Sequence, residues 1–497
     1  VSGPPGRAHL FARISLVEDR VRALVAHRRQ DDPTPDDPFR GLYLTDEDVD
    51  RVLAARDPGP AREDSRMTEV EQACDEAEAA GSPSRLRALQ RDFDLTDLDV
   101  EILLAALAPD LDSRFERLYG YLNDDVTRRR ATIGLALEIG AARPTSAAAR
   151  GRLSPGAPLL AHRLVTIDEP ERPFLSRGLR VPDRVASHLL GDDEPEAALA
   201  EVLVAPPAAP GATARELARV LIGGVRLVYL RDLGRRTGPG AAAAALEEAG
   251  RDCLGIDLAR MAAQPAADEL VRLAGREALL RGAGLVAEPV EALAEAGVEA
   301  LRRLASLPVP VLLVGDVSWD PGWSRNVPLQ AESPPLGTGE REVLWVGALG
   351  ASGGPESLAG RLPVHLHLGP EQISRAVTWA RLAATFADSD VDGGLLQAGA
   401  RAQNAAGLER LSRRIEPAVG WSDLVLTDAV TGQLHELADR ARHRDRVLTD
   451  WRMRPGGGRG RGVTALFAGD SGTGKTMSAE VIAGELGLDL YRVDLAT

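Results

Sequence analysis

One lysine occurs in the 497 residues, at position 475, and it stands in the run GDSGTGKT, residues 469–476. Every other member of the 59 Lys and Arg is arginine. A chain that uses arginine everywhere else keeps lysine where a planar fork is too broad and a slim point charge is needed. The run has the spacing G-x-x-x-x-G-K-[ST], in which the amides of a glycine loop and of the helix behind it cradle phosphates. An ordinary glycine turn between strand and helix is the alternative reading, but a plain turn has no use for the only lysine.

The flanks supply the context that the motif requires. Residues 463–468 (VTALFA) read as a short buried strand, 477–486 as a helix closed by Gly487, and 490–495 (LYRVDL) as the next strand. Strand, glycine loop, helix and strand make a βαβ unit. In that unit the amides of Gly472, Thr473 and Gly474 point at a nucleotide's phosphates, Lys475 neutralises β and γ oxygens, and the Thr476 hydroxyl holds Mg²⁺. The expected contact set is Gly469, Asp470, Ser471, Gly472, Thr473, Gly474, Lys475, Thr476 and Met477.

The totals bound the class. Hydrophobic content of 44% and charged content of 27% are those of a soluble globular chain, and the length calls for several cores. No apolar run is long enough to cross a membrane, and the first thirty residues have no signal-peptide core, so a cytoplasmic protein is expected. Net charge of −15 argues against broad binding to nucleic acid or anionic membrane. Cys74 and Cys253 lie far apart without paired spacing and read as free thiols. Val1 fits a GTG start or a chain cut from something longer. Because Thr497 follows directly on the second strand of the βαβ unit, a fragment is expected.

Five segments emerge along the chain. Residues 1–66 hold an amphipathic helix at 10–29 and an acidic, Pro-rich linker from 30 to 64, with an ordered piece at 42–52. Residues 67–204 read as helices at 68–80, 84–89, 95–108 and within 118–137, with Thr96 as N-cap and Asp99 three residues on. A flexible stretch at 141–158 follows, then a hairpin of strands 159–167 and 179–181; helices followed by a β-wing suggest an α+β winged-helix-like module. Residues 205–212 (APPAAPGA) read as a linker. Residues 213–410 and 411–497 then share one logic: 225–259 line up with 463–496, Asp257 matching Asp494, which points to tandem duplication. The fold class is therefore α/β, with P-loop NTPase modules in tandem, the first degenerate and the second incomplete. In the first copy Arg231 stands where the second has Gly469, no lysine lies near Gly238 and Gly240, and the strand 284–288 ends in Glu288 and Pro289 instead of paired carboxylates. Strand 309–314, a helix opened by 341–345 and a lid helix at 370–384 complete it.

Smaller signals favour structural roles. His365 and His367 share a strand face without a third ligand, Trp319 and Trp323 read as packing anchors, and Arg128 to Arg130 read as a solvated helix face.

With these motifs in place the chain resembles AAA+ ATPases, and more narrowly the tandem-domain, winged-helix-bearing ATPases of bacterial contractile injection (phage-tail-like) gene clusters. The resemblance spans roughly residues 90–497. It is carried by DLDVEILLAALAPDLDSRFERLYGYLNDDVTRRR at 97–130, RLVTIDEPERPFLSRGLRVPDRV at 163–185, and GDSGTGKTMSAEVIAGELGLDLYRVDLAT at 469–497, the last specific to the AAA branch in the narrow sense. The resemblance implies ATP and Mg²⁺ as cofactors, hydrolysis of ATP by the full-length protein, and a ring, hexameric by analogy. It implies a protein substrate or injection-system components as partners, while the absence of long apolar runs and the net charge of −15 speak against a membrane and against nucleic acid. Arg325 lies where such rings place an arginine that reaches a neighbour's nucleotide. The acidic pair, sensors and arginine finger of the second module would lie beyond Thr497, so catalytic residues are unassigned and this chain alone is expected to be inactive. Two other classes fit the same residues: a DNA-binding regulator switched by ATP, which needs a basic face on 90–190, and a catalytically silent scaffold.

Overall fold

The computed structural model describes residues 6–30, 65–209, 211–233, 236–333, 336–350, 362–364, 366, 368–403, 413–451, 453, 462–470 and 472–493. The expected linker with its piece at 42–52, His365, His367, Ser471, and the end of the last expected strand lie outside the described residues. By its contacts the chain divides into two units. One comprises Val1–Val204, Arg251–Val311 and Asp320–Val327; the other comprises Ala205–Gly250, Leu312–Trp319 and Pro328–Thr497.

The first unit is built round the helix Asp97–Leu111, which is apolar on every side and buried from Asp99 to Pro109. A helix without a polar face has to be central. It starts at a capping box, as the sequence predicts: Thr96 accepts from the Asp99 amide while the Asp99 carboxylate takes the Thr96 amide at 2.8 Å. Helices Ala8–Gln30, Arg114–Leu122 and Ile133–Ile139 pack against it. Ser84, Thr132 and Ser146 cap the helices that follow them in the same way, each hydroxyl accepting one of the first free amides.

Asp99 does more than cap. Its side chain has no exposed surface and also accepts two bonds from Arg152, the Nε one at 2.8 Å. The stretch 141–158, expected to be flexible, is therefore ordered: helix Ala147–Gly151 lies within it and Arg152 fastens it to the central helix. A second group of charges joins the first helix to its neighbours. Arg13 bonds Glu71 and Glu101, each at 2.7 Å, and Arg87 bonds Glu71 at 2.6 Å. His9 lies between Ser84 Oγ at 2.8 Å and Glu71 Oε1 at 3.1 Å. Burial would raise the Glu71 carboxyl, but hydrogen bonds from Arg87 and His9 and the nearby positive charge outweigh it and hold the group at about 2.

Expected strand 159–167 is a correction. Pro158–Ala161 is helical, with Pro158 in the first turn where its missing amide costs nothing, and only Thr166–Asp168 (β1) is extended. It pairs antiparallel with Gly178–Arg180 (β2), and Thr132 bridges Gly178 on the other side, so β2 is flanked twice. Helices followed by a short antiparallel hairpin, with one bridge from Thr132, fit the winged-helix-like module expected from the sequence. Still in this unit, helix Ala267–Arg281 is clasped by charges from the wing side. Arg184, buried, makes a two-pronged contact with the fully buried Glu277 at 2.8 and 2.9 Å, and Arg163 does the same with Glu269.

Six further strands are Leu203–Val204 (β3), Leu227–Arg231 (β4), Cys253–Asp257 (β5), Gly284–Glu288 (β6), Val311–Gly315 (β7) and Leu329–Glu332 (β8). Within the first unit β3 pairs antiparallel with β5 and β5 pairs parallel with β6, and within the second β4 pairs parallel with β8. The apolar runs of β4 and β7 are buried, as strands covered on both faces must be. In the second unit, helices Thr338–Leu349, Pro370–Phe386 and Gly393–Ala402 close over Trp345. Gly399 is required there, because a Cβ would run into the Ala376 carbonyl. Residues 205–209 are not a free linker: Ala209 is buried and its amide bonds the Gly240 carbonyl at 2.9 Å.

Two outcomes test this account. Arg152→Met strands a buried carboxylate and should lower stability by about 3 kcal/mol in urea unfolding of the chain, whereas a loss under about 1 kcal/mol would contradict the role of Asp99. The second concerns pH. Burial lowers the pKa of His162, whose ring meets Phe93 edge-on at 5.3 Å, and also of His9 and His188. Their folded values lie below 6.5, so the unfolded chain binds more protons just below that pH; the stability is full above 6.5 and is lost as pH falls through the folded values. The melting temperature should drop from pH 7 to pH 5, and His162→Phe should lessen the drop. An unchanged slope would contradict it.

Candidate functional site

The glycine loop adopts a backbone that explains its composition. Gly469, Gly472 and Gly474 have φ of 153°, 86° and 84°, values that side chains disfavour. Thr473 Oγ1 donates to the Asp470 carbonyl at 2.9 Å and tightens the turn. Gly474 precedes the helix Lys475–Leu486, whose first bond runs from the Ser478 amide to the Gly474 carbonyl at 2.8 Å. Among the described residues no atom comes within 4 Å of where a Cβ on Gly472 or Gly474 would stand, so these residues leave the space before the helix open.

Lys475 folds back over this loop. Its ammonium donates to the Gly469 carbonyl at 2.9 Å and to the Asp470 carbonyl at 2.6 Å, while Thr473, Thr476 and Met477 are exposed beside it. The site thus gathers helix N-terminal amides, one ammonium and one hydroxyl, with neutral carbonyls as the lysine's partners. That donor set fits an anion with several oxygens. Among the described residues no group of three His, Cys, Asp or Glu could hold a metal, so a cation here would draw on Thr476 and on ligand oxygens.

The helix is fixed from behind. Ile482 packs on Leu434 and Ala438, Glu485 takes bonds from Arg442 and from Trp421 Nε1, and Trp421 stacks on His435 at 3.8 Å. Gly487, left-handed at φ 64°, ends it. The flanking strands differ from expectation. Residues 463–468 form no strand, and Leu466 is 92% exposed. A parallel strand needs neighbours on both sides, and none pairs with this segment among the described residues. Leu490–Arg492 (β10) is a strand but pairs antiparallel with Arg413–Ile415 (β9).

Other singled-out residues take structural places. Arg128, Arg129 and Arg130 pair with Asp125, Glu116 and Asp110. Trp323 is buried, and Trp319 meets the Tyr229 ring at 5.3 Å. Arg325 is exposed in the segment between β7 and β8. Sequence reasoning missed Arg152, which fastens Asp99, and Arg150, whose guanidinium lies 4.4 Å from the Phe174 ring and holds the wing loop. An aromatic in a Pro-rich wing was the only available signal for the second.

Residues 6–203 match the family model of the winged helix domain, variant, in agreement with the hairpin and bridge described above. The N-terminal part of the chain is thus a winged-helix domain, followed by a mixed α/β region with a largely parallel sheet. No curated protein matches the chain. No helix among the described residues is long and apolar enough to cross a membrane.

Proposed function

We propose that residues 469–476 bind the phosphates of Mg²⁺-ATP, and that the chain belongs to an AAA+-type ATPase working as a hexameric ring on a protein complex, with contractile-injection components as its substrates. The observation that carries this reading is Lys475: the one lysine of the chain sits in the first turn of a helix, over a glycine loop, with two neutral carbonyls as its hydrogen-bond partners among the described residues. An arriving phosphate is a better partner, since charge-assisted bonds are roughly twice as strong as neutral ones. The ammonium would exchange Gly469 and Asp470 for phosphate oxygens, the amides of Gly472, Thr473 and Gly474 would share the charge, and the helix dipole would add to it. The Thr476 hydroxyl is the group to hold Mg²⁺, and Met477 would lie against the nucleotide. Mg²⁺-ATP, once bound, supplies the phosphoryl group whose transfer drives the remodelling.

The DNA-binding alternative draws on the winged-helix match. It needs a basic face, yet residues 90–190 carry fifteen acidic against fourteen basic residues. Arg128, Arg130, Arg152, Arg163, Arg172 and Arg184 are each paired with a carboxylate, which lowers the positive charge this region offers to a phosphate backbone. We therefore assign this domain to protein contacts.

Mg²⁺-ATP titrated into the chain should bind, and Lys475→Ala should weaken it about 100-fold or more. Lys475→Arg should fail too, its fork being too broad for the loop. Unchanged affinity in the alanine variant would remove the basis of the assignment, and salt-sensitive binding of duplex DNA would favour the alternative.

A further inference from the structure

The segment related to the glycine loop has its own helix N-terminus, that of Gly238–Glu248. Gly238 stands nineteen residues before Asp257, as Lys475 stands nineteen before Asp494, so Gly238 and Pro239 take the places of Lys475 and Thr476. Neither can supply an ammonium or a hydroxyl. The structure shows what fills the space. Asp232, 5% exposed, sends Oδ1 onto the start of this helix: it accepts from the Gly238 amide at 2.8 Å, the Thr237 amide at 3.2 Å and the Thr237 hydroxyl at 3.3 Å. Its own amide is pinned to the Gly315 carbonyl at the end of β7, at 2.8 Å.

The surroundings are tight at both glycines of this helix start. A Cβ on Gly238 would come within 2.6 Å of Val314 Cγ1 and 3.1 Å of Ser333 Oγ. One on Gly240 would meet the Pro207 carbonyl at 2.9 Å, Ala209 Cβ at 3.0 Å and Pro370 Cγ at 3.2 Å. The segment 205–209 and the first turn of helix Pro370–Phe386 thus lie directly on this helix. Gly369 is flush against the Arg236 carbonyl as well.

We infer that the Asp232 carboxylate is a built-in anion that takes the amides a phosphate would need and keeps this part of the chain closed without nucleotide. Two consequences follow. A free phosphate would have to displace a covalently tethered carboxylate and would meet its negative charge in a buried, poorly screened place, so nucleotide is excluded here. The lid-like helix Pro370–Phe386 stays shut whether or not ATP is present, because its closing contacts are made by protein atoms alone. Granted the proposed reading of Lys475, the chain takes one nucleotide, at residues 469–476.

Two measurements on the whole chain test this. In saturation binding with Mg²⁺-ATP, one nucleotide per chain in the wild type and none in Lys475→Ala is expected. Two in the wild type and one in Lys475→Ala would overturn the closed site while leaving the Lys475 reading intact. One in each would overturn both. Amide exchange without nucleotide reads the anion independently of that reading. In Asp232→Ala the amides of Thr237 and Gly238 should exchange about tenfold or more faster, with residues 205–209 loosened, and Asp232→Asn, which keeps an acceptor, should fall between. Exchange unchanged in Asp232→Ala would overturn the inference even if no nucleotide binds anywhere on the chain.

Discussion

The first amides of a helix have no partner within the helix, and what satisfies them organises much of this molecule. Along the winged-helix domain the answer is a short side chain: Ser84, Thr96, Thr132 and Ser146 each accept one amide and set where a helix begins. At Gly238–Glu248 the answer is a buried carboxylate, Asp232. At Lys475–Leu486 neither device is present among the described residues: the residue before the helix is Gly474, with no side-chain cap, and no described atom stands close in front of it. A partial positive charge with an ammonium beside it and, among the described residues, no carboxylate on its first amides is the feature on which the functional reading rests.

The near-total use of arginine has a structural counterpart. Its planar fork makes two parallel bonds to a carboxylate, and the first unit relies on that geometry repeatedly, in Arg184 with Glu277, Arg163 with Glu269, Arg85 with Asp193 and Arg130 with Asp110. The Arg184 pair is fully enclosed, so its members hold each other in place by the cost of separating them more than by net attraction. The same pairing engages part of the positive charge of the winged-helix domain. Where two-pronged contact is not wanted, over a glycine loop, the chain has its lysine.

What could be read in the sequence was local. Helices 8–30, 65–79, 97–111 and 370–386 follow from apolar periodicity with caps and stops, and the Thr96 box was legible because both of its partners lie within three residues. Strands β4 to β7 were legible as apolar runs bounded by Gly and Pro. Strand 463–468 was misread for the same reason that made it attractive: VTALFA has the composition of a covered strand, but covering is supplied by neighbours, which a local reading cannot count. The stretch 141–158 looked flexible by composition and is held by Arg152, whose partner lies 53 positions earlier. Asp232 was hidden likewise, because a carboxylate six residues before a glycine-rich helix start carries no signal until the loop is folded back on itself.

The most direct test is a crystal structure of the chain with a non-hydrolysable ATP analogue and Mg²⁺. The account predicts the analogue's phosphates in the open loop, with the Lys475 ammonium moved from the Gly469 and Asp470 carbonyls onto their oxygens, and Asp232 unmoved on the amides of Thr237 and Gly238. Phosphates bound at Gly238 with Asp232 displaced, or a Lys475 still on its carbonyls beside an empty loop at saturating analogue, would contradict it.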